Sequence, residues 1–351
     1  MSKILIIRFS ALGDVAMTIP VIYSFAGRYP QHTITILSEA GLKPMFETAP
    51  ENVQFLGADL KDKHDGISGL RKLYKELKQE KFDYVADLHS VIRSYYLRLL
   101  FKFDGIPTAH IDKGRIEKAC LTRKKNKTFV QLKSSFDRYQ EVLQKLGFTF
   151  DLDFRTILKS SDVDLSAILS QIGEKGDTKW IGIAPFAKHK GKIYPLELQE
   201  KVIAHFANDK RVKVIVFGGG KEEKEIINGW IKKYPAVQSM VGRLNLSQEM
   251  LLMSQLDVMY SMDSANMHLA SLVNTTVVSL WGATHPYAGF MGWKQSEDNA
   301  VQIDLSCRPC SIYGNKECYR KDYACLYQIK PESIILKIER LLTNQGHLFI
   351  K

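Results

Sequence analysis

The sequence predicts an α/β protein of two Rossmann-like, doubly wound domains facing a cleft. Three observations support that fold. Short apolar runs alternate with amphipathic stretches through the first third of the chain, the same alternation restarts at Trp180, and a stretch of different, basic character separates the two series. Strand and helix signals that alternate in this way imply parallel βαβ units. A length of 351 residues is enough for two such domains.

The elements follow in order. "KILIIRF" reads as a buried strand and "TIPVIYSFAGRY" as the helix after it. "TITILSE" is a second strand, "LRKLYKELKQEK" a helix with apolar residues at helical spacing, and "DYVADLH" a third buried strand. From Lys113 to Lys133 the chain carries eight Lys/Arg and one Glu. "SSFDRYQEVLQKLG" is an amphipathic helix with Gly147 as its C-cap, and "FDLDFRTILKSSDVDLSAIL" is an edge or linker followed by a helix. The second series runs "WIGIAPF" strand, "LELQEKVIAHFAND" helix, "VKVIVFGGG" strand, "KEEKEIINGWIKKY" helix, "SQEMLLMSQL" helix, "DVMYSMD" strand, "SANMHLASLVN" helix and "TTVVSLWG" strand. "PESIILKIERLL" is the last helix. The expected boundaries are an N-terminal domain over 1–160, a linker over 161–178, a C-terminal domain over 179–330 and a final helical segment over 331–351.

Composition narrows the function. A net charge of +11 favours acidic partners: nucleic acid, an anionic membrane face or an acidic small substrate. No signal peptide and no apolar run of about 18 residues is visible, which gives the expectation of a cytoplasmic protein. Five cysteines are too few for a disulfide scaffold at this length.

Ligands of doubly wound sheets bind at the carboxyl ends of strands, so the chemistry is sought there. Asp14 follows the first strand and precedes a helix, as either an N-cap or a general base. Asp263 and Ser264 end a strand with His268 one helical turn on. The free N–H groups there suit a phosphate, while the acid suits an N-cap better than a direct ligand. "FGGGKEEKE" permits close backbone approach at Gly219 and offers Glu222 or Glu223 to ribose hydroxyls; the alternative is a solvated helix start. Lys188, Lys190 and Lys192 follow another strand end, and one of them can neutralise a diphosphate; lone surface lysines are the alternative. Cys307, Cys310, Cys318 and Cys325 read C-x2-C-x7-C-x6-C, either a structural zinc site or reduced structural thiols.

Taken together, the strand ends resemble one family. "RFSALGDVAMTIP", "DLHSVIRS", "KIYP", "GGGKEE", "DSANMHLA", "LWGATHP" and "CRPC" follow, in order, the signatures of glycosyltransferase family 9, the bacterial heptosyltransferases of the lipopolysaccharide inner core. The resemblance spans nearly the whole chain. Two residues depart from it: Ala265 replaces the usual glycine after Asp-Ser, and Tyr194 replaces a tryptophan.

The resemblance implies the GT-B arrangement, with acceptor on the N-terminal domain, sugar nucleotide on the C-terminal one, and the last helix crossing back to the first domain. It implies an inverting transfer of heptose from ADP-heptose, with no cofactor or divalent metal required. Asp14 is then the base, and Lys192 with the helix beginning near Ser264 meets the leaving diphosphate. His268 holds that helix start or a phosphate, and Ser10, Gly13, Gly219, Glu222 or Glu223, Asp263 and Ala265 complete the nucleotide-sugar set. Arg93, Arg123, Lys124, Lys125 and Lys127, near Lys113 and Arg115, are expected to hold an acidic lipopolysaccharide core or lipid-linked acceptor at the inner membrane face; a solvated loop is the alternative. The patch is not a stable membrane anchor by itself.

Other classes fit less well. A nucleic-acid-binding protein with cysteine-ligated zinc lacks the expected interleaving of aromatic and basic residues. A nicotinamide enzyme lacks a glycine fingerprint. A non-catalytic carbohydrate-binding relative has no use for Asp14. A transferase of the same family with another nucleotide sugar or glycan acceptor is the nearest alternative.

Overall fold

The structure is a computed structural model that describes residues 1–158 and 164–344. The expected boundary at 160/161 and residues 345–351 lie outside the described residues. The chain forms two compact units.

In the first unit five parallel strands, β1 (Lys3–Ile7), β2 (Thr33–Glu39), β3 (Val53–Ala58), β4 (Tyr84–Asp87) and β5 (Thr108–His110), take the order β3-β2-β1-β4-β5. In β1 the last four residues are all buried, because helices cover both faces of a parallel sheet and leave no solvent side. Its register sets Ile4 against Ile34 on β2, and Ile7 against Asp87 on β4. Leu5, Ile7 and Phe9 share a core with Leu73 and Leu77 of the helix Gly66–Gln79 and with Leu97 and Phe101 of the helix Ile92–Phe103.

The second unit has six parallel strands: β6 (Lys179–Ala184), β7 (Val212–Val216), β8 (Gln238–Ser239), β9 (Val258–Met262), β10 (Val277–Leu280) and β11 (Ala300–Val301). Their order is β11-β10-β9-β6-β7-β8. Both sheets are doubly wound, as expected. The order reverses between β1 and β4 in the first and between β6 and β9 in the second, and those two switch points are where such sheets open a crevice for ligands.

The domain limits differ from expectation in three places. The basic stretch Arg115–Leu132 belongs to the second unit, not to the 1–160 domain, and the chain rejoins the first unit at Lys133. Leu121 and Leu132 pack with Ala288, Tyr287 and Phe290, and the Leu132 amide donates to the Tyr287 carbonyl at 2.9 Å. The helix expected after the linker stretch is present as Ser166–Ile172, but with Ile168 and Ile172 buried it belongs to the second unit and not to a linker over 161–178. The last helix, Pro331–Asn344, was expected to cross back to the first domain. Instead Ile334 and Ile338 are fully buried in the second unit's core, and the helix packs on Leu196–Ala207 and on β9 and β10. An amphipathic helix must cover its apolar stripe, and this core offers the cover.

Ile338→Ala should therefore remove about 2–5 kcal/mol from the second unit alone. Amide hydrogen exchange will register this as lost protection in β9 and β10 with β1 and β2 unchanged. Loss in the first unit's strands would place the helix elsewhere.

Candidate functional site

The first unit's switch point gathers the ends of β1 and β4. Arg8, the residue after β1, is buried, and a buried cation must be hydrogen-bonded. Its Nη1 donates to the Leu88 carbonyl at 2.9 Å, its Nη2 lies 2.9 Å from Asp14 Oδ2, and its guanidinium carbon lies over the Tyr139 ring, 5.9 Å from the centroid. Asp14 is the third residue of the short helix Leu12–Ala16, whose N-cap is Ala11; the acid is therefore not the N-cap. Asp14 Oδ2 also accepts a long bond from the Ala11 amide at 3.4 Å. Oδ1 has no partner among the described residues, and the side chain is one-third exposed (35%). One oxygen is thus tethered and the other is open. Ser10 and Gly13 flank this carboxylate on the first unit.

Asp87, fully buried at the end of β4, accepts the His89 and Ser90 amides at 2.9 and 2.7 Å and lies 3.4 Å from Arg98. This turn presents His89, whose Nδ1 accepts from the Phe9 amide at 3.3 Å. Burial first, then the nearby Arg8 and Lys113 charges, depress its pKa to about 3, so the imidazole is neutral near pH 7.

At the second unit's switch point, Lys192 ends the turn Lys190–Lys192 after β6, and Asp263 follows β9. Lys192 Nζ lies 2.9 Å from Asp263 Oδ2, with side chains 16% and 4% exposed. Asp263 is thus an ion-pair partner and not an N-cap. Ser264 is the N-cap of the helix Ala265–Leu272, but its hydroxyl contacts Ser261 Oγ at 3.2 Å and caps no amide. The first turn's N–H groups keep their partial positive charge for a ligand. Ala265 is the first helical residue, and its φ is not positive, so this backbone does not require the usual glycine. His268 is buried within the same helix. Among the three candidate lysines, Lys188 is exposed, Lys190 lies over the Tyr323 ring, and Lys192 alone has an ion pair.

Beyond β7, the Gly219 amide donates to Glu223 Oε2 at 2.7 Å. Glu223 thus closes the glycine turn, and Glu222 is left exposed beside it. Tyr194, in place of a tryptophan, is fully buried and donates to the Ile329 carbonyl at 2.7 Å.

The expected acceptor residues separate. Lys127 is half-buried and donates to the carbonyls of Cys307 and Pro309, both at 2.7 Å, so it pins the basic stretch. Lys124 lies over Tyr319 at 4.6 Å. Arg123 and Lys125 are exposed. Arg93 is on the first unit, 3.5 Å from Asp65.

The cysteines are free thiols, and among the described residues no group of three or more His, Cys, Asp or Glu is placed to hold a metal. The C-R-P-C element instead works through its arginine. Arg308, 4% exposed, donates to the carbonyls of Trp281, Gly282, Ile303 and Thr284 and to Gln302 Oε1. Sequence reading missed Arg8, His89 and Arg308 as site-building residues. The available signal was a charge set in or beside an apolar run, which demands buried partners. No helix among the described residues is long and apolar enough to cross a membrane.

The depressed His89 pKa has a definite sign in stability. The unfolded state takes up a proton near pH 6.5 and the folded state only near 3. The contribution is fully present above pH 6.5 and is lost as pH falls through that window. Denaturation of His89→Gln and of the parent should run parallel above the window and diverge within it, by up to about 1.4 kcal/mol per pH unit. Parallel curves at all pH values would remove the burial argument.

Comparison with known proteins gives the family and the fold class. The sequence profile of "Glycosyltransferase family 9 (heptosyltransferase)" matches residues 70–320. Lipopolysaccharide heptosyltransferase 2 of Escherichia coli K12 is 25% identical over 81% of this chain and 84% of its own length. The Salmonella typhimurium protein of the same name is 23% identical over 98% and 99%. The solved structure of the E. coli ADP-heptose lps heptosyltransferase II superposes with a TM-score of 0.72 at 19% identity, covering 98% of this chain and 99% of that one, which establishes the GT-B fold class. The chain belongs to glycosyltransferase family 9, the heptosyltransferase family.

Proposed function

We propose that this glycosyltransferase moves a heptose from ADP-heptose, with inversion, to an acidic inner-core lipopolysaccharide acceptor. The observation that carries the reading is the division of chemistry between the two switch points. One holds a carboxylate with a tethered and an open oxygen, and the other holds a lysine beside an uncapped helix N-terminus. A direct displacement needs those two parts, a base for the nucleophile and charge stabilisation for the leaving group.

Asp14 Oδ1 takes the proton of the acceptor hydroxyl as its oxygen bonds to the anomeric carbon. The bond from that carbon to the diphosphate breaks on the opposite face, which inverts the centre. The departing ADP carries its negative charge to Lys192 and to the first-turn amides of Ala265–Leu272. Arg8 fixes the base, and Glu222 is the carboxylate left for the donor ribose. The exposed Arg123, Lys124 and Lys125 offer charge to an anionic acceptor, or to the membrane face that carries it, by long-range attraction. The homologues' names support a heptosyl donor and a lipopolysaccharide acceptor; another nucleotide sugar within the family is the alternative.

Asp14→Asn should lower transfer roughly 10²- to 10⁴-fold, with circular dichroism and ADP affinity unchanged. Near-normal turnover by this variant would reduce Asp14 to a helix-start acid. Transfer should also persist in EDTA, because a lysine and a helix N-terminus meet the diphosphate charge. If EDTA stops transfer with the fold intact, and Mg²⁺ restores it, a metal carries that charge instead.

A further inference from the structure

We propose that the cysteine-bearing segment from Cys310 to Tyr323 is the backstop that positions Lys192, with Gly314 as the positioning residue. The inference rests on the reading of Lys192 as the diphosphate's counter-charge. A lysine has a long flexible stem and a point charge, so a useful position has to be imposed from outside. The turn Lys190–Lys192 holds only backbone: the Lys192 amide donates to the His189 carbonyl at 2.9 Å. The side chain is fixed at its tip by Asp263 and along its stem by Gly314.

The stem contact is tight. A Cβ on Gly314 would fall 2.6 Å from Lys192 Cγ and 3.3 Å from Cδ and Cε. Only a hydrogen fits without moving the stem, and Gly314 also has a left-handed backbone, φ +73°.

The segment is anchored there by hydrogen bonds. The Cys310 and Ser311 amides both donate to the Ala283 carbonyl, at 3.0 and 3.2 Å, and the Ala283 amide donates to the Gly191 carbonyl at 2.8 Å. Two more glycines permit this approach. A Cβ on Gly191 would lie 2.8 Å from the Gly314 carbonyl oxygen, and one on Gly282 would lie 2.7 Å from the Gly191 carbonyl oxygen. Lys190 Nζ sits 5.3 Å from the Tyr323 ring centroid, a further contact between the same two segments. A lysine already held in place loses less freedom when the diphosphate arrives.

The test uses the full chain. Gly314→Ala should weaken ADP binding about tenfold in calorimetry while adenosine stays within about twofold. Gly191→Ala intrudes on the same contact from the other side, without a left-handed backbone, and should act alike; it serves if Gly314→Ala does not fold. Gly105→Ala shares the strain of a left-handed glycine, φ +79°, but its Cβ meets open space, so it should leave both nucleotides unaffected. Adding Gly314→Ala to Lys192→Ala should cost ADP nothing further, and an additive loss overturns the proposal. Acylation of Lys192 by an amine-reactive reagent, mapped by mass spectrometry, should be several-fold faster in Gly314→Ala and in Gly191→Ala than in the parent. Unchanged acylation in both overturns the positioning, whatever the nucleotide affinities. If Lys192→Ala weakens ADP and adenosine equally, the diphosphate reading falls, and the acylation rates still decide whether Gly314 holds the lysine.

Discussion

A parallel sheet buried on both faces can show its chemistry only at its ends, and this constraint organises the protein. The middles of β1, β6, β9 and β10 are closed in by helices and carry almost only apolar side chains. Polar groups therefore collect just past the last residue of each strand. The strand order then selects among those ends. At β1/β4 and at β6/β9 the connections depart in opposite directions, and the residues that follow these strands are Arg8, Asp14 and His89 on one unit and Lys192 and Asp263 on the other.

Buried charge is used in both units to hold backbone. Arg8 spans from the Asp14 carboxylate to the Leu88 carbonyl, Asp87 gathers the His89 and Ser90 amides, and Arg308 collects four carbonyls from two loops. Each of these groups would be costly to leave unpaired; breaking a buried pair typically costs about 3–5 kcal/mol. The same cost makes the loops unique, because a displaced loop strands the charge it was satisfying. These strand-end loops are thus held by electrostatics where the strands are held by apolar packing.

Close approach of backbone is the second device. Gly191, Gly282 and Gly314 come from three separate segments, and each admits a neighbour that a methyl group would exclude. The basic stretch is secured differently, by Leu121 and Leu132 in an apolar cluster and by the Lys127 ammonium on the Cys307 and Pro309 carbonyls. Arg123 and Lys125 are therefore exposed on a held strap and not on a free loop, which presents their charge in a fixed place.

The sequence by itself determined the seven inner strands, the doubly wound class and the two acids and the lysine turn at strand ends, because burial periodicity and strand-end position are local properties of the chain; the edge strands β3, β5, β8 and β11, short or half-exposed, were not legible in it. The ordered motif series also carried the family. What only the tertiary structure decided concerns partners distant in sequence. An amphipathic pattern says that Pro331–Asn344 must pack, but not on which core; Ile334 and Ile338 found theirs in the second unit. The charge run from Lys113 reads as one patch, yet its lysines differ once carbonyls 180 residues away claim Lys127. Lys188, Lys190 and Lys192 are equivalent on paper, and Asp263, three strands further along the chain, distinguishes them. In C-R-P-C the cysteines draw the eye, but the buried arginine makes the bonds. Spacing along a chain encodes which face a side chain takes; it does not encode what arrives at that face from elsewhere in the fold.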